Sequence, residues 1–391
     1  MFAHRTDDLA PEGAYQVLAR AQALEAAGRD IIHFEIGQPD FDTPENIREA
    51  GRRAIDGGLT RYTAPAGMPA LRQAIAEYAG ARRGLRFQPE QVVVSPGAKP
   101  NLFFAALALI EAGDEVLYPD PGFPTYKAMI EVAGGKPVAV PLDEENDFSL
   151  DLEAFDRLIN DRTRLIILNS PGNPTGGIIP RADLEHIAGA AIQYGSWVLS
   201  DEIYAGLTYD GSEAPSIATL PGMMERTIIV DGFSKTYAMT GWRLGYGIMP
   251  VELARKIDLL LTHSVGSTAQ FTQVAGIEAL KGSQEATRRM VNEYRQRRDL
   301  TVSRLRAIPG MTCRIPPGAF YAFPNIKAFG RKSAELTDLL LDEAGVAVLP
   351  GSSFGQYGEG YLRLSYATSM KNIEGGLARM RQTLEELGTT H

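Results

Sequence analysis

Hydrophobic and polar positions along the chain alternate between two textures. Short, nearly unbroken apolar runs recur at "IIHFEIG" (31–37), "QVVVS" (91–95), "EVLYP" (115–119), "RLIILNS" (164–170), "SWVLSDE" (196–202) and "TIIVDGF" (227–233). Runs this short and this apolar, ending in turn formers or acids, predict strands buried on both faces. Helical spacing fills most of the gaps. "TPENIREAGRRAI" (43–55) predicts a helix with Thr43 as N-cap and Pro44 at its first position. "KPNLFFAALALIEAG" predicts a helix that opens after Gly97 and is closed by Gly113. This alternation implies an α/β fold with a mostly parallel central sheet flanked by helices. Past residue 284 the texture changes. A long charged helix, "QEATRRMVNEYRQRRDLTVSRLRAI", leads to strand-like "GAFYAFPNI" and mixed elements. The expected division is a large domain over 46–284 and a smaller, discontinuous α+β domain from 1–45 and 285–391.

Composition narrows the partners. A length of 391 residues exceeds one simple core and fits two domains or one large domain with an appendage. The net charge of −9 argues against a nucleic-acid partner held by phosphate contacts. Cys313 is the only cysteine, so no intrachain disulfide can form, and a reducing compartment fits. "MFAHRTDDLAPEGAYQ" lacks the basic start and apolar run of a signal peptide, and no segment has the apolar length to span a bilayer. The expectation is a cytoplasmic protein with neither a membrane nor a metal partner.

In a parallel sheet, ligands bind beyond the carboxyl ends of the strands. The residues that follow each apolar run therefore come first. After "QVVVS", "PGAKP" offers a glycine turn and a helix start, whose free N–H groups suit a phosphate. It also reads as an ordinary strand-to-helix turn, and it lacks the P-loop spacing. After "RLIILN", "SPGNPTGG" holds Asn173, which has both a donor and an acceptor, or is a plain Asn-Pro turn. After "SWVL", Asp201 and Tyr204 emerge from a buried strand; in isolation a helix cap or surface charge is the better reading. After "TIIVDG" comes Lys235, with Arg243 eight residues later. A lone lysine is ordinarily a solvated one. Jointly, four strands of one sheet deliver a phosphate cradle, an amide, a carboxylate with a phenol, and a lysine with an arginine. That set supports Schiff-base catalysis. A desolvated lysine among cations is partly neutral and nucleophilic, and a carboxylate would keep a pyridine nitrogen protonated.

At this point the chain resembles the class I/II pyridoxal-phosphate (PLP) aminotransferases of fold type I, most of all the prokaryotic aspartate aminotransferase group. The stretches that carry the resemblance are "IGQPDFDTP" (36–44), "TRYTAPAGMPALRQAI" (60–75), "NSPGNPTGG" (169–177), "SDEIY" (200–204), "GFSKTYAMTGWRLG" (232–245), "GAFYAFP" (318–324) and "YLRLSYATS" (361–369). The resemblance implies transfer of an amino group between an amino acid (glutamate/aspartate or neutral/aromatic) and a 2-oxo acid; a C–S β-lyase on the same fold is the alternative. It implies that Lys235 forms the imine with PLP and shuttles protons, that Arg243 holds the phosphate, and that Asp201 faces the pyridine nitrogen. Tyr204 and Asn173 then bond the ring's O3′. Phe123 stacks on the ring. Ala98 and Lys99 give backbone N–H groups to the phosphate. Tyr62 reaches the phosphate of a neighbouring subunit, which implies a homodimer with shared sites. Arg363 clamps the substrate α-carboxylate, and the loop at Gly37 closes over it. Cis bonds are implied at Asp120–Pro121 and Asn173–Pro174.

Three departures bear on specificity. Many relatives carry serine where this chain has Gly232, and Ser234 is the candidate replacement. Lys99 occupies the place of a lysine that receives the distal carboxylate in acidic-substrate members. Where those members carry a Ser/Thr pair near the N-terminus, this chain reads "PEGA", and Glu12 would repel a dicarboxylate if it pointed inward.

Overall fold

The computed structural model describes residues 6, 9, 11–211 and 214–388. A first short strand, β1 (Ile32–His33), precedes the central sheet. That sheet comprises β2 (Val92–Ser95), β3 (Glu115–Asp120), β4 (Lys136–Asp143), β5 (Ser149–Leu150), β6 (Thr163–Asn169), β7 (Trp197–Asp201), β8 (Thr227–Gly232) and β9 (Gly245–Ile248), in the order β2-β9-β8-β7-β6-β3-β4-β5. β3 pairs parallel with β4 and β6, and β6, β7 and β8 continue in parallel. β9 runs against both β2 and β8. β2 and β8 therefore point the same way, and six strands, β2, β3, β4, β6, β7 and β8, bring their carboxyl ends to one edge.

The strands are apolar because both faces are covered. Val92, Val94, Ile229 and Tyr246 pack with Ile47, Leu71, Ile75 and Ala275, from the helices Glu45–Asp56, Pro69–Arg83 and Gln270–Lys281. Val93, Ile228, Val230 and Leu199 pack with Leu102, Met129 and Ile257, from the helices Lys99–Leu109, Thr125–Val132 and Val251–Thr262. The period-two alternation along Val92–Val94 thus has apolar partners on each side.

A further core gathers residues 290–384 with Phe34, Tyr204, Leu207 and Tyr209. It includes the helix Glu285–Arg306, the strands β10 (Tyr321–Ala322), β11 (Val346–Ala347), β12 (Leu349–Pro350) and β13 (Leu362–Ser365), and the helix Met370–Gly388. β1 pairs with β11, which ties the N-terminal segment to this unit. The segment after β7 packs into this core, so the carboxyl edge of the sheet lies where the cores meet.

Several local expectations need correction. The strand expected over 31–37 is confined to β1, and "GAFYAFPNI" holds only the two residues of β10. Thr43 does not cap the helix after it. Pro44 is the N-cap, and the Thr43 hydroxyl donates to the Ala238 carbonyl at 2.6 Å. The helix opened by Lys99 ends at Leu109, not at Gly113. Ile110 is extended (φ −98°, ψ 134°), and the Asp114 carboxylate accepts from the Glu111 amide at 2.9 Å. Asp120–Pro121 and Asn173–Pro174 are cis as expected, and so is Ser170–Pro171. No helix among the described residues is long and apolar enough to cross a membrane.

Candidate active site

The register of β9 sets the first half of the site. Gly245 lies opposite Ser95 on one side and Gly232 on the other. A Cβ at Gly245 would strike the Ala98 nitrogen and the Gly97 carbonyl carbon. Glycine therefore lets β9 lie directly against the turn that opens the helix Lys99–Leu109. Gly97 takes φ +90°, and a Cβ there would meet the Arg243 guanidinium. Arg243 donates through Nη1 to the Thr240 carbonyl at 2.9 Å. The first N–H groups of a helix have no intrahelical acceptor. Ala98 and Lys99 thus present unpaired donors beside an exposed arginine, over a floor with no side chain. This cradle suits a phosphate.

Asp201 ends β7 and is buried. Its Oδ2 accepts from the Tyr126 hydroxyl at 2.7 Å, and its Oδ1 from the Ile203 amide at 3.2 Å. Burial raises its pKa to about 6, Tyr126 works against that rise, and the charges of Asp231 and Glu202 add to it. Tyr204 is one turn further on. Its hydroxyl lies 2.7 Å from that of Tyr321, and burial holds it well above the ordinary tyrosine pKa. Lys235 follows β8, and its Nζ donates to the Gly37 carbonyl at 2.5 Å. Desolvation, then the neighbouring Arg363, Arg243 and Lys99, pull its pKa down to about 8. An amine so placed is partly neutral near physiological pH.

Arg363, in β13, is only 3% exposed. Its Nη1 donates to Asn173 Oδ1 at 3.4 Å and its Nη2 to the Glu35 carbonyl, while Nε has no partner. Tyr321 lies against it, with the guanidinium 4.6 Å from the ring centre. A buried arginine whose acceptors are neutral can still take a carboxylate as a bidentate partner. Asn173 is fixed by its amide, which donates to Asn169 Oδ1 at 2.8 Å. Gly37 passes so close to Tyr321 that a Cβ would strike the phenol oxygen.

The remaining expected residues divide. Phe123 joins the cluster, with Lys99 Nζ 4.9 Å from its ring centre and Tyr126 against its edge. Ser234 is half-buried in the turn before Lys235. A Cβ at Gly232 would come 3.0 Å from the Gly245 Cα, so serine at that position would crowd β9. Tyr62 makes none of these contacts and is 97% exposed. Tyr126, Tyr321 and Glu35 are site residues that sequence reasoning passed over. "GFPTY" and "GAFYAFP" held both tyrosines in plain view, but nothing marked their phenols as facing the site.

A model of the family described as "Aminotransferase class I and II" matches residues 29–380. The chain belongs to this family. An aspartate aminotransferase of Pyrococcus horikoshii is 42% identical over 95% of this chain and 94% of its own length. A probable aspartate/prephenate aminotransferase of Aquifex aeolicus is 41% identical over 98% of this chain and 99% of its own. The solved structure of an aromatic aminotransferase from Pyrococcus horikoshii OT3 matches with a TM-score of 0.89 at 41% identity, covering 94% of this chain and 99% of that one. The protein is thus a transaminase that uses pyridoxal 5′-phosphate. Its residues fit the cofactor: a phosphate cradle that a Cβ would fill, a buried carboxylate, and a desolvated amine within the electrostatic reach of both Arg243 and Asp201.

Proposed function

We propose that Lys235, Asp201 and Tyr204 carry the transamination, with Ala98, Lys99, Phe123, Asn173, Ser234 and Arg243 holding the cofactor and Arg363, Asn173 and Gly37 the substrate. The observation that carries this reading is the position of Lys235. Its amine is desolvated, flanked by three cations, and set on the same sheet edge as Asp201. The bound cofactor supplies a carbonyl that takes up the amino group and a ring that withdraws electrons from the substrate Cα. Arg363 binds the α-carboxylate and fixes which Cα bond faces Lys235. With the cofactor bound, Lys235 Nζ would be the base that takes the proton from Cα and holds it for return. Asp201 holds a proton at the ring nitrogen, and Tyr204 with Asn173 steadies the ring oxygen.

The same reading makes the protein a cytoplasmic homodimer with shared sites, in which the exposed Tyr62 serves the neighbouring subunit. It divides the chain into a large domain, 46–284, and a small one, 1–45 with 285–391. The relatives cited are transaminases by name, and none supports the C–S β-lyase alternative.

Borohydride reduction of the holoenzyme followed by peptide mapping tests the assignment. The pyridoxyl group is expected on Lys235, and Lys235→Ala is expected to bind PLP yet turn over no substrate. A pyridoxyl group on any other lysine overturns it.

A further inference from the structure

Two cations border the substrate side of the site, and the structure treats them differently. Arg363 has only neutral acceptors and an Nε without a partner. Lys99 already has a carboxylate, because its Nζ is ion-paired with Glu12 Oε1. Thr125 donates to the same Glu12 oxygen at 3.4 Å. Glu12 is the N-cap residue of the helix Gly13–Ala26, but its side chain makes no capping hydrogen bond. The carboxylate that could have capped its own helix is turned to Lys99 instead. The helix start is seated firmly: a Cβ at Gly13 would strike the Ser353 hydroxyl. From this turn Phe354 reaches Arg363, its ring centre 5.1 Å from the guanidinium. The charge of Glu12 is felt at Arg363, and that of Lys99 at Lys235.

We propose that Glu12 is a specificity-determining residue that screens the substrate's distal group by charge. This rests on the transaminase reading above, with Arg363 as the α-carboxylate clamp. An amino acid with an uncharged side chain meets a neutral Lys99–Glu12 pair. A dicarboxylate must take Lys99 from Glu12 or lie beside a like charge, and like charges in contact discriminate against a ligand. The pair is open to such exchange, since its side chains are 45% and 27% exposed, and pairs of that exposure are weak. The preferred substrate class is therefore amino acids with neutral or aromatic side chains, with dicarboxylates as the disfavoured partners.

The test uses the holoenzyme and two unreactive acids, succinate and butyrate, with binding read by calorimetry. Glu12→Gln is expected to tighten succinate about three- to tenfold and to move butyrate by about twofold or less. The ratio of kcat/KM for aspartate to that for phenylalanine is expected to rise by a similar factor. Lys99→Met in the Glu12→Gln background is expected to erase the gain. Unchanged or weaker succinate binding in Glu12→Gln overturns the proposal, as does an equal gain for butyrate. Arg363→Ala separates the two readings. If it loses both acids while Glu12→Gln leaves their ratio alone, the charge screen fails and the clamp stands. If it loses neither, the clamp itself is wrong.

Discussion

Tyr126 donates its phenol proton to Asp201 across 2.7 Å, in a part of the site where both side chains are buried. The bond opposes the effect of burial, which otherwise favours the neutral acid. Tyr126→Phe removes that opposition, so the Asp201 pKa rises further above about 6. A hydrogen bond to a charged acceptor is worth roughly 1.5–3 kcal/mol, which corresponds to an upward move of about one to two pH units. The acid limb of kcat/KM is expected to shift to higher pH by that order. An unmoved acid limb, with only the plateau lowered, would mean that Tyr126 packs and does not tune.

Lys235 gives a second pH signature. Its pKa is lowered to about 8, so the neutral amine grows in as pH rises through that value and not through the usual lysine range. Covalent loading of PLP, followed by absorbance, is expected to accelerate up to about pH 8 and then level. Arg363 is the second cause of the depression, after burial. Arg363→Met is accordingly expected to move the inflection upward, and a downward move would contradict the assigned cause.

Arg363 and Lys99 differ in what they cost when removed. As the proposed α-carboxylate clamp, Arg363 serves every substrate, so Arg363→Ala is expected to lower kcat/KM for all of them by about a hundredfold or more. Lys99→Ala is expected to cost less overall and to act mainly on glutamate and aspartate. Equal losses for alanine and glutamate in Lys99→Ala would confine Lys99 to shaping the phosphate turn.

Gly245→Ala places a Cβ against the backbone of Gly97 and Ala98. Backbone gives way less readily than a side chain, so β9 and the cradle must separate. The expected result is a stability loss of about 1–3 kcal/mol together with weaker PLP binding. Thermal unfolding with and without PLP measures both. Gly241→Ala is the control, because a Cβ there meets nothing.

The proposed dimer with shared sites makes a prediction about mixtures. Lys235→Ala and Tyr62→Ala homodimers are each expected to be impaired. Co-refolded heterodimers pair one intact lysine with one intact tyrosine and are expected to regain activity at one site. No recovery, with mixed dimers shown by native mass spectrometry, would place Tyr62 outside the neighbouring site.

Much of this site was legible because parallel strands deliver their last residues to one edge. Lys235, Asp201, Asn173 and the 97–99 turn each follow an apolar run directly, and the sheet alone brings them together. The arginine at 243 belongs to a different case. It precedes β9, a short antiparallel strand of two glycines, a tyrosine and an isoleucine, so its nearness to Lys235 in sequence and the family resemblance pointed to it, not a strand end. Tyr126 and Tyr321 escaped notice because each looks like any core aromatic until its hydroxyl is seen to have a polar partner. Thr43 was misread because its hydroxyl had a distant acceptor, the Ala238 carbonyl, which outcompeted the local cap. Glu12 stands out in sequence as a departure from the acidic-substrate pattern, but its partner Lys99 lies 87 positions away, so their pairing is not legible there.

The pairing of Gly232 with Gly245 makes the segment between them a closed loop, and Lys235 and Arg243 both lie inside it. The proposed covalent tether and phosphate grip therefore sit on one β-hairpin loop. An opening of β8 and β9 therefore displaces Lys235 and Arg243 together. Cofactor that bridges the two residues is then expected to slow hydrogen exchange across 227–248 as one unit.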